Sequence, residues 1–214
     1  METQTQATQA TMTSAEALAR LREGNARFVA NRQMERDLLQ QVRETGGGQY
    51  PFAIVLGCVD SRVPPELIFD QGIGDIFTAR IAGNFVNADI LGSMEFACKV
   101  AGARLIFVLG HTDCGAIKGA IDDVHLGNLT GMLDKLKPAV EAVPTPADGH
   151  SSQNVAFVQQ VAEKNVELTL QAIRQQSPVL NEMLENGEIQ IAGGMYDVET
   201  GVVSFRPTPN VSSG

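Results

Sequence analysis

Residues 58–62 read Cys-Val-Asp-Ser-Arg, and residues 111–114 read His-Thr-Asp-Cys. Each stretch follows an apolar run that ends in Leu-Gly, "FAIVLG" before the first and "RLIFVLG" before the second. Two thiolates and an imidazole form a borderline-soft donor set that suits tetrahedral Zn2+. Asp60 lies two residues beyond Cys58 and reaches the same place, so the candidate metal set is Cys58, Asp60, His111 and Cys114. A fourth sulfur or nitrogen would close such a site and make it structural. A carboxylate exchanges more readily and gives way to water, which makes the site catalytic. Arg62 supplies the latch. A bidentate guanidinium–carboxylate pair would hold Asp60 off the metal and leave the fourth position open. The held carboxylate could then orient a metal-activated water, whose pKa falls from about 15.7 toward about 7 on zinc.

These residues need elements that deliver them to one point. The runs 52–57 and 104–110 are continuous and apolar, as expected of parallel strands covered on both faces. "DIFTARI" (75–81) reads as another strand. "ADILGSMEFACKVAG" (88–102) has helical spacing and stops at Gly102. Strand, helix and strand alternating at this pitch predict an α/β fold, a mostly parallel sheet of four to five strands flanked by helices. In such sheets sites form at the carboxyl ends of the strands, where Cys58 and His111 stand. Thr13-x-x-Glu16 is a capping box that opens a helix to about Asn31. "ETGGGQYP" (44–51) reads as a loop. The chain turns helical after 115, a long helix over about 154–176 stops before Pro178, and 188–194 and 201–206 read as closing strands. The expected organisation is a disordered stretch 1–12, a single catalytic domain 13–207 and a loose tail 208–214.

The 214 residues suffice for one well-buried domain. The net charge of −9 argues against nucleic acid or an anionic membrane surface as partner. No run approaches the roughly 18 apolar residues of a membrane span, and "METQTQATQATM" lacks the features of a secretory signal. The expected location is cytoplasmic. Three cysteines, at 58, 98 and 114, are too few and too odd for a disulfide framework and favour metal binding or catalysis.

"CVDSRVPPELIFDQGIGDIFTARIAGN" followed by "GSMEFACKVAGARLIFVLGHTDCGAIKGA" resembles the β-class carbonic anhydrases. The matching core runs from about 49 to 120, and "EALARLREGNARFV" and "GGMYDVETGVVSF" extend the likeness over most of the chain. The resemblance implies zinc-dependent, reversible hydration of CO2 to bicarbonate and a proton by attack of zinc hydroxide. It implies Cys58, His111 and Cys114 as constant ligands and Asp60–Arg62 as the catalytic dyad. It also implies substrate contacts from Gln49, Phe77, Ala82, Phe96 and the amide of Gly115. The family forms homodimers and larger assemblies such as homotetramers, with part of each pocket supplied by a neighbouring subunit. Phe96 stands where several members carry Tyr, and Val59 is bulkier than the usual residue in C-x-D-S-R. No tryptophan is present, although members with an inhibitory bicarbonate site often use one there.

Other readings carry different expectations. Hydrolysis of carbonyl sulfide or carbon disulfide would use the same zinc site. A zinc-stabilised binding module would have no use for Arg62. A redox thiol protein would depend on Cys114 but not on metal. Cys98, inside an apolar helix, reads as a core residue without chemistry. His125 and His150 fall in polar segments and carry no assigned role. "DQGIGD" lacks the third glycine of a nucleotide loop.

Overall fold

The computed structural model describes residues 3–147 and 149–206. The N-terminal elements are α1 (Gln6–Thr11), α2 (Ser14–Val29) and α3 (Leu38–Thr45). Strand β1 (Ala53–Gly57), α4 (Pro65–Ile68) and β2 (Ile76–Arg80) follow. Helix α5 (Ala88–Glu95) ends in a π-helical turn, Phe96–Val100, and leads to β3 (Leu105–His111). Next come α6 (Gly115–Ile121), α7 (Gly127–Leu133), α8 (Lys137–Glu141) and the long α9 (Val155–Gln176). Helix α10 (Pro178–Glu185), β4 (Gln190–Tyr196) and β5 (Val203–Phe205) complete the described chain.

The sheet order is β2-β1-β3-β4-β5. The first four strands are parallel and β5 is antiparallel to β4. The single α/β domain with a mostly parallel five-stranded sheet is therefore the architecture the apolar runs predict. Alternation along β1 divides the core. Ala53 and Val55 face α2 and α4 with Leu21, Phe69 and Phe107, while Ile54 and Leu56 face the larger helical layer with Met94, Ile106 and Val166. Burial of each large apolar side chain contributes about 1.5–3 kcal/mol relative to exposure, so both faces hold the strand ends rigidly. The chain runs from β1 out to β2, then returns to place β3 on the other side of β1. Adjacent strands whose connections depart in opposite directions leave a crevice at their carboxyl ends.

Helix α9 lies very close to β3 and β4, and glycine makes that possible. A Cβ on Gly110 would come within 2.5 Å of Val166 Cγ2 and 2.6 Å of Met195 Sδ. The Leu-Gly before His111 thus reflects helix–sheet contact immediately beside the site.

Residues 3–12 correct the expectation of disorder. Thr5 caps α1, and Gln9 Nε2 donates to Pro51 O and Ala101 O, both at 2.8 Å. Amide side chains satisfy carbonyls at the amino end of the sheet, and the apolar content on which the expectation rested is not what fixes this segment. Residues 1–2 and the tail expected from 208 onward lie outside the described residues. Helix α3 overlaps the start of the 44–51 loop, and Pro178 starts α10 because its missing N–H is no loss in a first turn. No helix among the described residues is long and apolar enough to cross a membrane.

Candidate metal centre

The register of the two central strands builds the cradle. Gly57 pairs with Leu109, so Cys58 and His111 leave adjacent strands at nearly the same level. Cys114 is the N-cap of α6, reached by a turn in which Asp113 takes the left-handed conformation, φ 57°. The ligand atoms of Cys58, His111 and Cys114 lie within 4.8 Å of one another, and all three residues are buried.

The imidazole is prepared as a donor. His111 Nδ1 is 2.8 Å from Thr112 O, which fixes the proton on Nδ1. His111 Nε2 is buried and has no hydrogen-bond partner, an unsatisfied lone pair aimed at the two sulfurs. The Cys114 thiol bonds to Cys58 and holds Cys58 far below the usual thiol range, while that bond, burial and the Cys58 charge push Cys114 up. A divalent cation would relieve this by taking the place of the shared proton. The donor set therefore fits zinc in composition, proximity and tautomer.

Asp60 stands at the rim, its Oδ2 4.0 Å from His111 Nε2. Arg62 grips it with Nε to Oδ1 at 3.0 Å and Nη2 to Oδ2 at 2.8 Å, and the Arg62 amide adds a bond to Oδ1 at 3.0 Å. This fork holds the Asp60 carboxyl down to about 2. Arg62 is steadied in turn by Asp113, with Nη1 to Oδ2 at 3.3 Å and Nη2 to the carbonyl at 3.4 Å, and Lys118 pairs with the other Asp113 oxygen. Arg80 ties the ligand turn from below by donating to Cys58 O at 2.8 Å and Asp60 O at 2.6 Å. Val59 is 56% exposed, so its extra bulk projects into solvent.

The remaining predicted residues divide into two groups. Gly115, at the start of α6, has open space where a Cβ would stand, and half-buried Ala82 adjoins Gly83, whose N–H donates to Cys58 Sγ at 3.3 Å. Both belong to the cradle. Phe77 and Phe96 do not. They meet each other edge-to-face at 6.1 Å in a surface recess of about 670 Å³ with Ile54 and Ile90. Phe77 is level with Ile54, four residues before Cys58 on the neighbouring strand, roughly 13 Å along the strand axis. Gln49 is exposed at the amino end of β1, in a separate recess with Ile73 and Gly74. Within one chain these three residues are not at the metal cradle.

Cys98 is buried without a polar partner, and burial pushes its thiol up to about 12, as expected of an inert core residue. His125 contacts Asp123, and His150 stacks on Phe157 at 5.1 Å. Sequence reading missed Asp113, Arg80 and Asn165 around the cradle. The first two carried a weak signal as charged residues at strand or turn ends near the motifs.

The "Carbonic anhydrase" family model matches residues 53–203. Carbonic anhydrase 2 of Mycobacterium tuberculosis is 36% identical over 189 residues, covering 87% of this chain and 89% of that protein. The carbonic anhydrase of Mycolicibacterium smegmatis is 33% identical over 187 residues, covering 87% and 90%. Among solved structures, the β-carbonic anhydrase CafA of Aspergillus fumigatus superposes with a TM-score of 0.68 at 28% identity, covering 92% of this chain and 91% of that one.

Proposed function

This chain belongs to the carbonic anhydrase family, β class, and is an enzyme whose family reaction is CO2 hydration; we propose that it performs that reaction on Zn2+ held by Cys58, His111 and Cys114. The observation that carries the reading is the buried, unpartnered His111 Nε2 close to two buried sulfurs beside a fork-held Asp60. When bound, zinc supplies Lewis acidity and lowers the pKa of water toward about 7. The protein supplies the rest. Arg62 commits two donors to Asp60, so the carboxylate stays at the rim and out of the fourth coordination place. Asp60, ionised at all working pH values, accepts a hydrogen bond there and fixes the direction of the attacking lone pair. Open space over Gly115 leaves room for a small linear substrate.

The apolar wall comes from a second copy of the chain. Phe96, which meets Phe77 of edge strand β2, is 49% exposed, and Val100 of the same turn is 73% exposed, an arrangement that invites association. A homodimer would bring one protomer's Phe77, Phe96 and Gln49 to the other's cradle. Such a pocket is apolar, suits uncharged CO2 and releases bicarbonate.

Stopped-flow CO2 hydration with metal analysis tests the assignment. Wild-type protein should carry one zinc per chain and accelerate hydration. Asp60→Ala should retain zinc and lose most activity. Full activity in that variant, or in thoroughly chelated protein, would refute the reading.

A further inference from the structure

Helix α9 packs a mostly apolar face on β3 and β4, and two buried residues in that face are polar, Asn165 and Thr169. Asn165 is 4% exposed and sits among Val161, Ala162, Val166, Thr169 and Leu170, all buried. A buried amide costs free energy unless it is bonded, and Asn165 Nδ2 donates to Gly83 O at 2.7 Å. One turn further, Thr169 Oγ1 lies 3.4 Å from Asn84 O.

Both acceptors belong to the turn Ile81–Asn84, closed by Asn84 N–H to Ile81 O at 2.9 Å. Gly83 occupies its third position with φ +80°, which excludes most side chains. A Cβ there would also meet Leu136 Cδ1 at 2.7 Å. The residue that must turn freely is thus the one whose orientation matters, because its N–H points at Cys58 Sγ, 3.3 Å away and buried. Glycine at this point provides no rigidity of its own. The clamp comes from the far side, through the amide of α9.

We infer that Asn165 is a positioning residue for Cys58: by fixing the Gly83 carbonyl, it aims the Gly83 N–H at the sulfur. The inference rests on Cys58 being a metal ligand, as proposed above. An amide bonded to a ligating sulfur sets the direction of the remaining lone pairs and draws charge from the sulfur. Such outer partners typically change metal affinity by about 10–100-fold. A polar residue present only to satisfy a carbonyl would affect folding and leave the sulfur unchanged.

Cobalt(II) separates these roles, because its thiolate charge-transfer band reports sulfur electron density. Wild-type protein, Asn165→Leu and Thr169→Val are loaded with Co2+, and affinity is measured by chelator competition. In Asn165→Leu, affinity should fall about 10–100-fold and the band should move to longer wavelength, since the sulfur loses its hydrogen bond. Thr169→Val should leave the band in place. If Asn165→Leu does not fold, Asn165→Ser, with room for a water on Gly83 O, should show a smaller shift in the same direction. A variant that melts earlier yet keeps wild-type affinity and band position overturns the inference. A wild-type protein that takes up Co2+ without any thiolate band removes the ligand assignment itself, and the inference with it.

Discussion

The cradle and the apolar recess are built by opposite strategies. Cys58, His111 and Cys114 are buried, their geometry is set by adjacent strand ends, and everything around them is bonded within one chain. Phe77, Phe96 and Gln49 are half-buried or exposed, lie away from the ligand-bearing strand ends in two separate recesses, and form no enclosure within one chain. One region needs rigidity to present three donors to an ion. The other, in the reading proposed above, is completed by a second copy of the chain that would cover its exposed phenylalanine. Under that proposal activity requires both a fold and an assembly, and the two can be broken separately.

Removing the ion breaks the first region most completely. His111→Ala or exhaustive chelation should reduce CO2 hydration to the uncatalysed background, because no other group here ionises water near neutrality. Circular dichroism should remain largely native, since Cys58 and Cys114 are two members of a much larger apolar layer and the layer on the other sheet face contains none of the three ligands. Chelated protein that retains measurable catalysis would sever the link between cradle and function.

Releasing the latch leaves the ion in place and spoils its use. In Arg62→Ala, zinc content should stay at wild-type level while kcat/KM falls about 100-fold or more, the usual scale for a mispositioned proton-handling group. The acid side gives a second check. The Asp60 carboxyl lies at about 2 in the fold, below an ordinary aspartate near 3.9. Its contribution to stability is therefore complete above about pH 4 and is lost as pH falls toward 2. Between pH 6.5 and 9 Asp60 does not titrate, and the activity rise expected over that interval belongs to the metal's water. A rate flat from pH 6.5 to 9 would contradict this division.

The same contrast explains what the sequence discloses. C-x-D-S-R and H-x-x-C are legible because each ligand follows an unmistakable apolar strand, and a parallel sheet leaves few ways to place two such ends. Gly110 was readable as punctuation but not as the contact point of α9. Asn165 was not legible at all, because one of six side-chain amides in a 22-residue helix resembles any solvent-facing position until the packing is known. The N-terminal helix failed for a related reason: polar composition argues against a core, yet Gln9 is held by two backbone carbonyls. The division between cradle and recess was also invisible, since spacing along a chain does not say which subunit a residue serves.

Breaking the second region should cost less at high protein concentration and more at low. Phe96→Glu places a charge on the proposed interface and touches no ligand. Its zinc content should match wild type, and the monomer's own stability should change by less than about 0.5 kcal/mol, as for other exposed positions. Sedimentation should show a shift toward monomer, and specific activity, reduced about 10-fold on the scale of a lost hydrophobic interface contact of roughly 1.4 kcal/mol, should recover partly on concentration. A Phe96→Glu protein that remains fully assembled and active would show that the recess is an ordinary surface feature.

The weakest prediction concerns the outer end of the charge chain Lys118–Asp113–Arg62–Asp60. Its members are 38%, 49%, 45% and 17% exposed in that order, so solvent screens the two outer links more strongly than the Arg62–Asp60 link at the cradle. Exposed pairs contribute at most about 1 kcal/mol, which converts to no more than about a fivefold change in rate. Asp113→Asn removes the charge facing Arg62 and should lower kcat/KM two- to fivefold, with the loss growing smaller as salt is raised and vanishing in an Arg62→Ala background. The double variant is the informative measurement. If Asp113 acts only by steadying Arg62, its substitution has nothing left to disturb once the guanidinium is gone. An additive loss in the double variant would mean that Asp113 works on the site by a separate route, and the line between a rigid inner cradle and a screened outer rim would have to be drawn further out.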